Sequence, residues 1–447
     1  MRRIRILQVG DIHYPDWQLV PSEIDAKDHK FAPNISESLR SSAFRAVLRK
    51  LRHLASSETM NGVVFVGDFT SRGKSEFLEG AFRHFSLLCR GSGATSQTTP
   101  LLFVPGNHDV DRKDALELGT IEKFRNISQL AERFGWQPVP LDRPVSVVVG
   151  RSGSSMEILL VNTSVGSWEL QNLPKFLRDK LRTEDWSTPI DLGSSSSIDD
   201  GPAAPNIAAS PGPPGDLLDQ YYNQLDTPYV SATMLTALME HLLQPGRAFG
   251  VIVGHHNLLP QKTPRISPYA EMLNAGFVRT QILSANKPIL YLHGHIHQDP
   301  IEVVSDPRKP GSQLISISAP EIGSGFNEII LFITDQDDLI GVRVIPYRTR
   351  PGDGTLVEEE HCFVPTSLNS RTFLDESTFA LLRRLKEYRT ERNRDLLFWN
   401  EVAELVRSTP VANALEDALI MLHASREIDI HGLNRSNRDW RIQVKGK

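Results

Sequence analysis

At 447 residues the chain is too long for one small core and suits two or three domains of ordinary size. Its 40% hydrophobic and 23% charged residues exclude a chain disordered throughout, and a formal net charge of −5 excludes a global basic field that would draw it to nucleic acid or anionic lipid. Two cysteines, Cys89 and Cys362, exclude a disulfide framework and a four-thiolate zinc site, and they fit a reducing compartment.

The basic N-terminus "MRRIRILQVGDIH" alternates apolar residues and then meets Asp11, so no secretory signal is expected. Nowhere is there an apolar run of the roughly 18 residues that a membrane helix needs. The expected location is the cytoplasm, with no membrane partner. "IRILQVGD" reads as a buried strand, Glu37 to Ala55 as a helix, "GVVFVGD" as a second strand, "KSEFLEGAFRHFSLLCR" as a second helix and "PLLFVPGNHD" as a third strand. Strands alternating with helices predict an α/β fold, whose chemistry collects at the carboxyl ends of its strands. "VSVVVG" and "MEILLVNTSV" read as two more strands.

From Gly193 to Gly215, 14 of 23 residues are Gly, Pro or Ser, too few apolar groups to offset the entropy of ordering. This stretch reads as a disordered insertion. The fold then resumes with the helix "SATMLTALMEHLLQ", the strand "AFGVIVGHHN", another helix and the strand "PILYLHGHIH". "QLISIS", "NEIILFIT" and "LIGVRVIPYR" read as antiparallel strands, the last two joined at "DQDD".

Residues 366–447 read as a separate C-terminal unit. Helices are expected around Phe379–Arg389, Leu396–Val406 and Val411–His423, then two strands around "NRSN". Helices followed by a hairpin resemble a winged helix. With 14 Lys and Arg against 12 Asp and Glu this unit is weakly basic, so docking to a protein partner or self-association is expected before nucleic-acid binding.

Five short blocks concentrate metal-capable side chains. They are "GDIH" (Asp11, His13), "GDFTSRG" (Asp68, Arg72), "GNHD" (Asn107, His108, Asp109), "GHH" (His255, His256) and "HGHIH" (His293, His295, His297). Seven of the 14 histidines fall in them. In an extended segment residues i and i+2 share a face, so Asp11 with His13, and His295 with His297, could each grip an ion from one side. Mixed imidazole, carboxylate and amide donors suit Mn, Fe, Zn or Co. One ion rarely needs so many ligands, whereas two ions about 3.5–4 Å apart, bridged by a carboxylate, do.

These five blocks, in this order over roughly residues 1–350, resemble the calcineurin-like metallophosphoesterases. The resemblance implies a two-sheet α/β/β/α sandwich holding two divalent or trivalent metal ions. It implies that Asp11, His13 and His297 bind one ion, that Asn107, His255 and His295 bind the other, and that Asp68 bridges them. His256 would support a ligand or face substrate, and His293 would either support a ligand or be an ordinary polar residue at the sheet end. His108 would stand by the phosphate and leaving group, with Asp109 orienting its ring. Arg72 resembles the arginine of the GDxxDRG motif in the phosphoprotein-phosphatase branch and would hold phosphoryl oxygens, although Ser71 replaces that motif's second aspartate.

The implied reaction is in-line hydrolysis of a phosphate ester by a hydroxide shared between the ions. The blocks look closest to the class III cyclic-nucleotide phosphodiesterases, which implies a small-molecule phosphodiester substrate. The alternatives are a DNA or RNA nuclease, then a phosphomonoesterase or protein phosphatase. A binding protein on an inactive fold is disfavoured by intact ligands in every block.

Overall fold

A computed structural model of the chain describes residues 1–15, 33–90, 99–111, 114–115, 118–151, 154–168, 227–260, 272–297, 300–309, 311–350, 353–366, 374–433 and 435–445. The Gly193–Gly215 insertion lies outside the described residues.

The chain opens with β1 (Arg2–Val9), α1 (Pro33–Ala55), β2 (Gly62–Phe65), α2 (Ser75–Arg90) and β3 (Leu101–Phe103). The three strands are parallel neighbours, which is why a helix separates each from the next. After α3 (Arg125–Arg133) come β4 (Val145–Arg151), β5 (Ser154–Leu160), α4 (Ala232–Leu242), β6 (Gly250–Val253), α5 (Ala275–Ser284) and β7 (Pro288–His293). Then follow β8 (Ile301–Ser305), β9 (Gln313–Ser318), β10 (Gly325–Ile333), β11 (Leu339–Thr349), β12 (Leu356–Glu358) and β13 (Cys362–Pro365).

These strands make two sheets. One runs β12-β11-β10-β1-β2-β3, with β13 also on β11, and the other runs β4-β5-β6-β7-β9-β8. Strand alternation makes them a sandwich. Ile4 and Ile6 of β1 face Val251, Val253, Leu290 and Leu292 of the other sheet, while Leu7 and Val9 face α1 and α2. The second sheet's outer face is covered by α4 and α5. The order of layers is helix, sheet, sheet, helix, as the resemblance implies.

The expectation that "QLISIS" joins an antiparallel run with the two strands after it is corrected. It forms β9, which pairs in parallel with β7 and antiparallel with β8, whereas β10 and β11 cross to the first sheet and continue from β1. Alternating apolar residues suit a half-buried strand in either sheet, so the pattern alone does not say which one each strand joins.

The apolar seam between the sheets turns polar at one end. Gln8 follows Ile4 and Ile6 on the same face of β1 and is fully buried. Its amide donates to the carbonyls of His293 (3.0 Å) and Ile317 (2.9 Å), and its oxygen accepts from Asn327 Nδ2 at 3.0 Å. The seam ties β1 to β7 beside the motifs that follow both strands. Gln8→Leu would remove these three buried bonds, leaving the His293 carbonyl only its bond from the Ala319 amide and Asn327 Nδ2 only its bond to the Ser318 carbonyl, and we expect it to lower unfolding free energy by about 1–3 kcal/mol, read by urea denaturation.

The tail folds as α6 (Glu376–Arg392), β14 (Leu396–Phe398), α7 (Trp399–Val406), α8 (Leu415–Ala424), β15 (Ile428–His431) and β16 (Arg441–Val444), with sheet order β14-β16-β15. The helix expected from Leu396 is corrected. Its first three residues are a strand, and α7 starts at Trp399, where Glu401 accepts the Phe398 amide at 2.8 Å. The tail's buried residues share one core with the outer face of the first sheet. Arg3 pairs with Asp417 and Glu416 across that contact, and Arg343 lies over the rings of Phe332 and Trp440. Among the described residues no helix is long and apolar enough to cross a membrane.

Candidate metal centre

All five motif blocks meet at one end of the sandwich, where β1, β2 and β3 of one sheet and β6 and β7 of the other run out into loops. The loops are not extended. Asp11, His13, Asp68, His295 and His297 all have positive φ, between 43° and 71°. These are five of the ten such non-glycine residues among those described. Such backbone costs roughly 1–3 kcal/mol per residue and persists where the surroundings impose it. Here they do, since the Asp68 carbonyl accepts from the amides of Ile12 (2.8 Å) and His13 (2.9 Å). The strand-parity argument for pairing His295 with His297 is therefore corrected. Each left-handed step turns the next side chain, and the two rings enter different clusters.

One cluster is Asp11, His13, Asp68 and His297, and the other is His255, His256 and His295. Within each, one possible ligand atom per residue lies within 4.8 Å of those of the others. Asp68 spans the gap, its Oδ2 3.4 Å from His255 Nε2. Asn107 joins the second cluster, its Oδ1 3.0 Å from the same His255 nitrogen. The Asp11 carboxylate accepts the His295 amide at 3.1 Å, with His297 Nε2 3.5 Å from its Oδ1.

Asp11 and Asp68 are each 1% exposed, and among the described residues no lysine or arginine pairs with either. Buried carboxylates need a compensating cation. Burial alone would raise the Asp68 carboxyl, but the imidazoles of His255 and His108 beside it hold it well below the usual carboxylate range. Burial disfavours charge on His255, yet Asp68 outweighs it and pushes that imidazole up to about 10. A proton there takes the place of a cation. The backbone is also shaped to the donors. Gly67 has φ 97°, and a Cβ on it would lie 2.3 Å from His255 Nδ1. A Cβ on Gly106 would lie 2.1 Å from Asp68 Oδ1. Donor chemistry, burial and cradle all fit two metal ions.

His108 donates its backbone N–H to Asp68 Oδ1 at 2.9 Å, and its ring meets that of His13 edge-on with centroids 5.2 Å apart. The expectation that Asp109 orients this ring is corrected. His108 Nδ1 faces the Ser71 carbonyl at 3.2 Å. The buried Asp109 carboxylate instead accepts the amides of Thr70 (2.8 Å) and Gly106 (2.9 Å), clamping the "GDFTSRG" loop to the "GNHD" turn. Burial, with the charge of Asp68 nearby, pushes its carboxyl up to about 7. Arg72 is exposed in that loop, and no contact among the described residues ties it to the clusters. His293 is buried with Nε2 3.1 Å from Ser316 Oγ and Nδ1 3.1 Å from the Gly294 carbonyl, which makes it a sheet-end residue outside both clusters.

Four supports escaped the sequence reading. Glu321, in "SAPEIGSG", places Oε2 3.7 Å from His297 Nδ1, where a carboxylate fixes an imidazole and makes it more basic. Thr163 contacts the "GHH" loop, and Trp168 Nε1 donates to the Asn107 carbonyl at 2.8 Å. Lys123, buried, holds the loop between them by donating to the carbonyls of Val165 (2.6 Å) and Ser167 (2.7 Å). "NTSVGSW" continues an apolar strand and reads as its polar end; only spatial contact reveals its role. Trp168→Phe keeps the bulk and deletes one buried bond, so we expect a loss of about 1–3 kcal/mol by thermal denaturation.

No curated protein matches the sequence. Among solved structures the chain is similar to a dimetal phosphatase from Danio rerio, at 13% identity and TM-score 0.40 over 82% of this chain and 100% of that one. It is similar to GAP50 of Plasmodium, the anchor in the inner membrane complex, at 11% identity and TM-score 0.39 over 82% and 90%. It is also similar to the calcineurin-like phosphoesterase YfkN from Bacillus subtilis, at 9% identity and TM-score 0.33 over 88% and 98%. The family model for calcineurin-like phosphoesterases matches residues 4–299, about two thirds of the chain. With that match the chain belongs to the calcineurin-like phosphoesterase family, whose members are metal-dependent hydrolases of phosphate esters.

Proposed function

We propose that this protein hydrolyses a phosphodiester, of the cyclic-nucleotide or a related small-molecule class, at a dinuclear metal centre. The observation that carries this reading is the pair of buried donor clusters meeting at Asp68. In this reading Asp11, His13 and His297 hold one ion, Asn107, His255 and His295 the other, and Asp68 both. Ions so held supply positive charge opposite the phosphoryl oxygens and acidify water.

The remaining work falls to the chain. His108, half-buried beside His13, gives a proton to the leaving oxygen or stabilises its charge. Its Nδ1–H donates to the Ser71 carbonyl, which fixes the ring, while Asp109 holds the two loops together. Among the described residues, the groups at the clusters are imidazoles and carboxylates rather than guanidinium or ammonium groups, which suits a diester monoanion better than a monoester dianion. Arg72, exposed, is proposed only to meet the outer part of a substrate. The ions are Mn, Fe, Zn or Co on donor chemistry, and the two free cysteines fit the proposed cytoplasmic location.

The test is hydrolysis of bis(p-nitrophenyl) phosphate and p-nitrophenyl phosphate with Mn. We expect the diester to be turned over faster. Turnover of the monoester alone would overturn the diester reading in favour of a phosphatase.

A nuclease is the second reading, favoured by the tail. Its order of helix, strand, helix, helix, strand, strand, with β16 central in its sheet, matches a winged helix. We propose that residues 366–447 form such an accessory module beside a catalytic domain of residues 1–350. Yet α8, which stands where such a fold carries its recognition helix, buries Leu415, Ala418, Leu419 and Leu422 and touches β11 and β13. The module thus docks on its own catalytic domain, and we expect no DNA affinity with the steep salt dependence of phosphate contacts.

A further inference from the structure

The adjacent imidazoles of His255 and His256 stand in different hydrogen-bonding surroundings. His255 Nδ1 lies 2.7 Å from the Val66 carbonyl. A carbonyl can only accept, so Nδ1 carries hydrogen and Nε2, facing Asn107 and Asp68, is the nitrogen that can ligate. His256 has a hydroxyl instead. Its Nδ1 lies 2.9 Å from Thr163 Oγ1.

What that hydroxyl can give is fixed by its other partners. Thr163 Oγ1 accepts the backbone N–H of His255 and of His256, each at 3.1 Å. A hydroxyl has two lone pairs and one hydrogen. With both lone pairs taken by amides, the hydrogen points at His256 Nδ1, which must accept it. Neutral His256 then carries its own hydrogen on Nε2. Thr163 is 1% exposed and His256 fully buried, so no bulk water competes for these bonds. The His256 ring lies with its centroid 4.4 Å from that of His295 and 4.6 Å from that of His255, at the edge of the second cluster.

We propose that Thr163 locks His256 in the Nε2–H tautomer. On the reading of the site given above, a ring whose Nε2 bears hydrogen and whose Nδ1 accepts from a hydroxyl has no lone pair left for an ion, so His255 alone of the pair is a ligand and His256 stands beside it as a neutral N–H donor. Thr163 is a positioning residue, because it acts through the ring it orients.

The test has two readouts. Long-range ¹H–¹⁵N correlation spectra of histidine-labelled protein, metal-free and zinc-loaded, report which nitrogen of His256 bears hydrogen. We expect Nε2–H in wild type and in Thr163→Ser, and a mixed or Nδ1–H pattern in Thr163→Val. Hydrogen on Nδ1 in wild type overturns the proposal whether or not the protein turns over any ester. The second readout is metal content in His256→Gln and His255→Gln, whose amides do not replace a ligating imidazole. We expect two ions per chain in His256→Gln, as in wild type, and the loss of one in His255→Gln. Loss of one ion from His256→Gln, with both retained in His255→Gln, would make His256 the ligand and end the proposal. A wild-type chain that binds no metal would sink the dinuclear reading and leave the tautomer assignment standing on its spectrum.

Discussion

Asp68→Asn is expected to abolish binding of at least one of the two ions and to lower kcat/KM by roughly a thousandfold or more. The amide is nearly the shape of the carboxylate, and its oxygen can still accept the His108 backbone N–H that Asp68 Oδ1 takes at 2.9 Å. What changes is charge and one donor. Asp68 is the carboxylate within reach of both clusters, with Oδ2 3.4 Å from His255 Nε2 and a place beside Asp11, His13 and His297. An amide presents one oxygen and no negative charge, and its NH₂ would point at a group that must stay available to a cation. Metal content by elemental analysis and turnover of a diester should fall together. Full metal content with full turnover would show that Asp68 does not join the two halves of the site.

His108→Ala is expected to separate what Asp68→Asn couples. The His108 side chain belongs to neither cluster, and alanine keeps the backbone N–H that Asp68 Oδ1 accepts, losing only the ring and its bond to the Ser71 carbonyl. Both ions should stay bound. Turnover should fall by roughly a hundred- to ten-thousandfold on an alkyl ester, the usual worth of a positioned proton donor. On a p-nitrophenyl ester the loss should be much smaller, because that leaving group departs without a proton. Steady-state rates for the two esters, with metal content measured in parallel, check this. An alkyl ester hydrolysed as fast as by wild type would remove the proton-transfer role.

The sequence shows which residues gather here better than it shows how they are held. Asp11, His13, Asp68 and His297 share one cluster, and His255 and His295 share the other with Asn107 beside it, because short glycine-flanked blocks at strand ends are visible as strings. The geometry was not visible. Left-handed backbone at Asp11, His13, His295 and His297 is unfavourable for non-glycine residues, so local preference predicts the extended alternative that the tertiary contacts overrule. Asp109 looks like a partner for its neighbour His108, yet its carboxylate reaches across to Thr70 and back to Gly106. Thr163, Glu321 and Lys123 come from segments far from the blocks in sequence, and an isolated threonine, glutamate or lysine carries no spacing to read. In the fold, the strands were legible as apolar runs, but the crossing that sends β10 to the first sheet and leaves β9 in the second depends on contacts between distant segments.

The most direct test of the dinuclear account is to strip the wild-type protein of metal and titrate Mn back while following hydrolysis of bis(p-nitrophenyl) phosphate. The account predicts no turnover without metal and a rise that saturates at two ions per chain, because the clusters are separate and Asp68 links them. Full turnover in the metal-free protein, or saturation at a single ion, would contradict it.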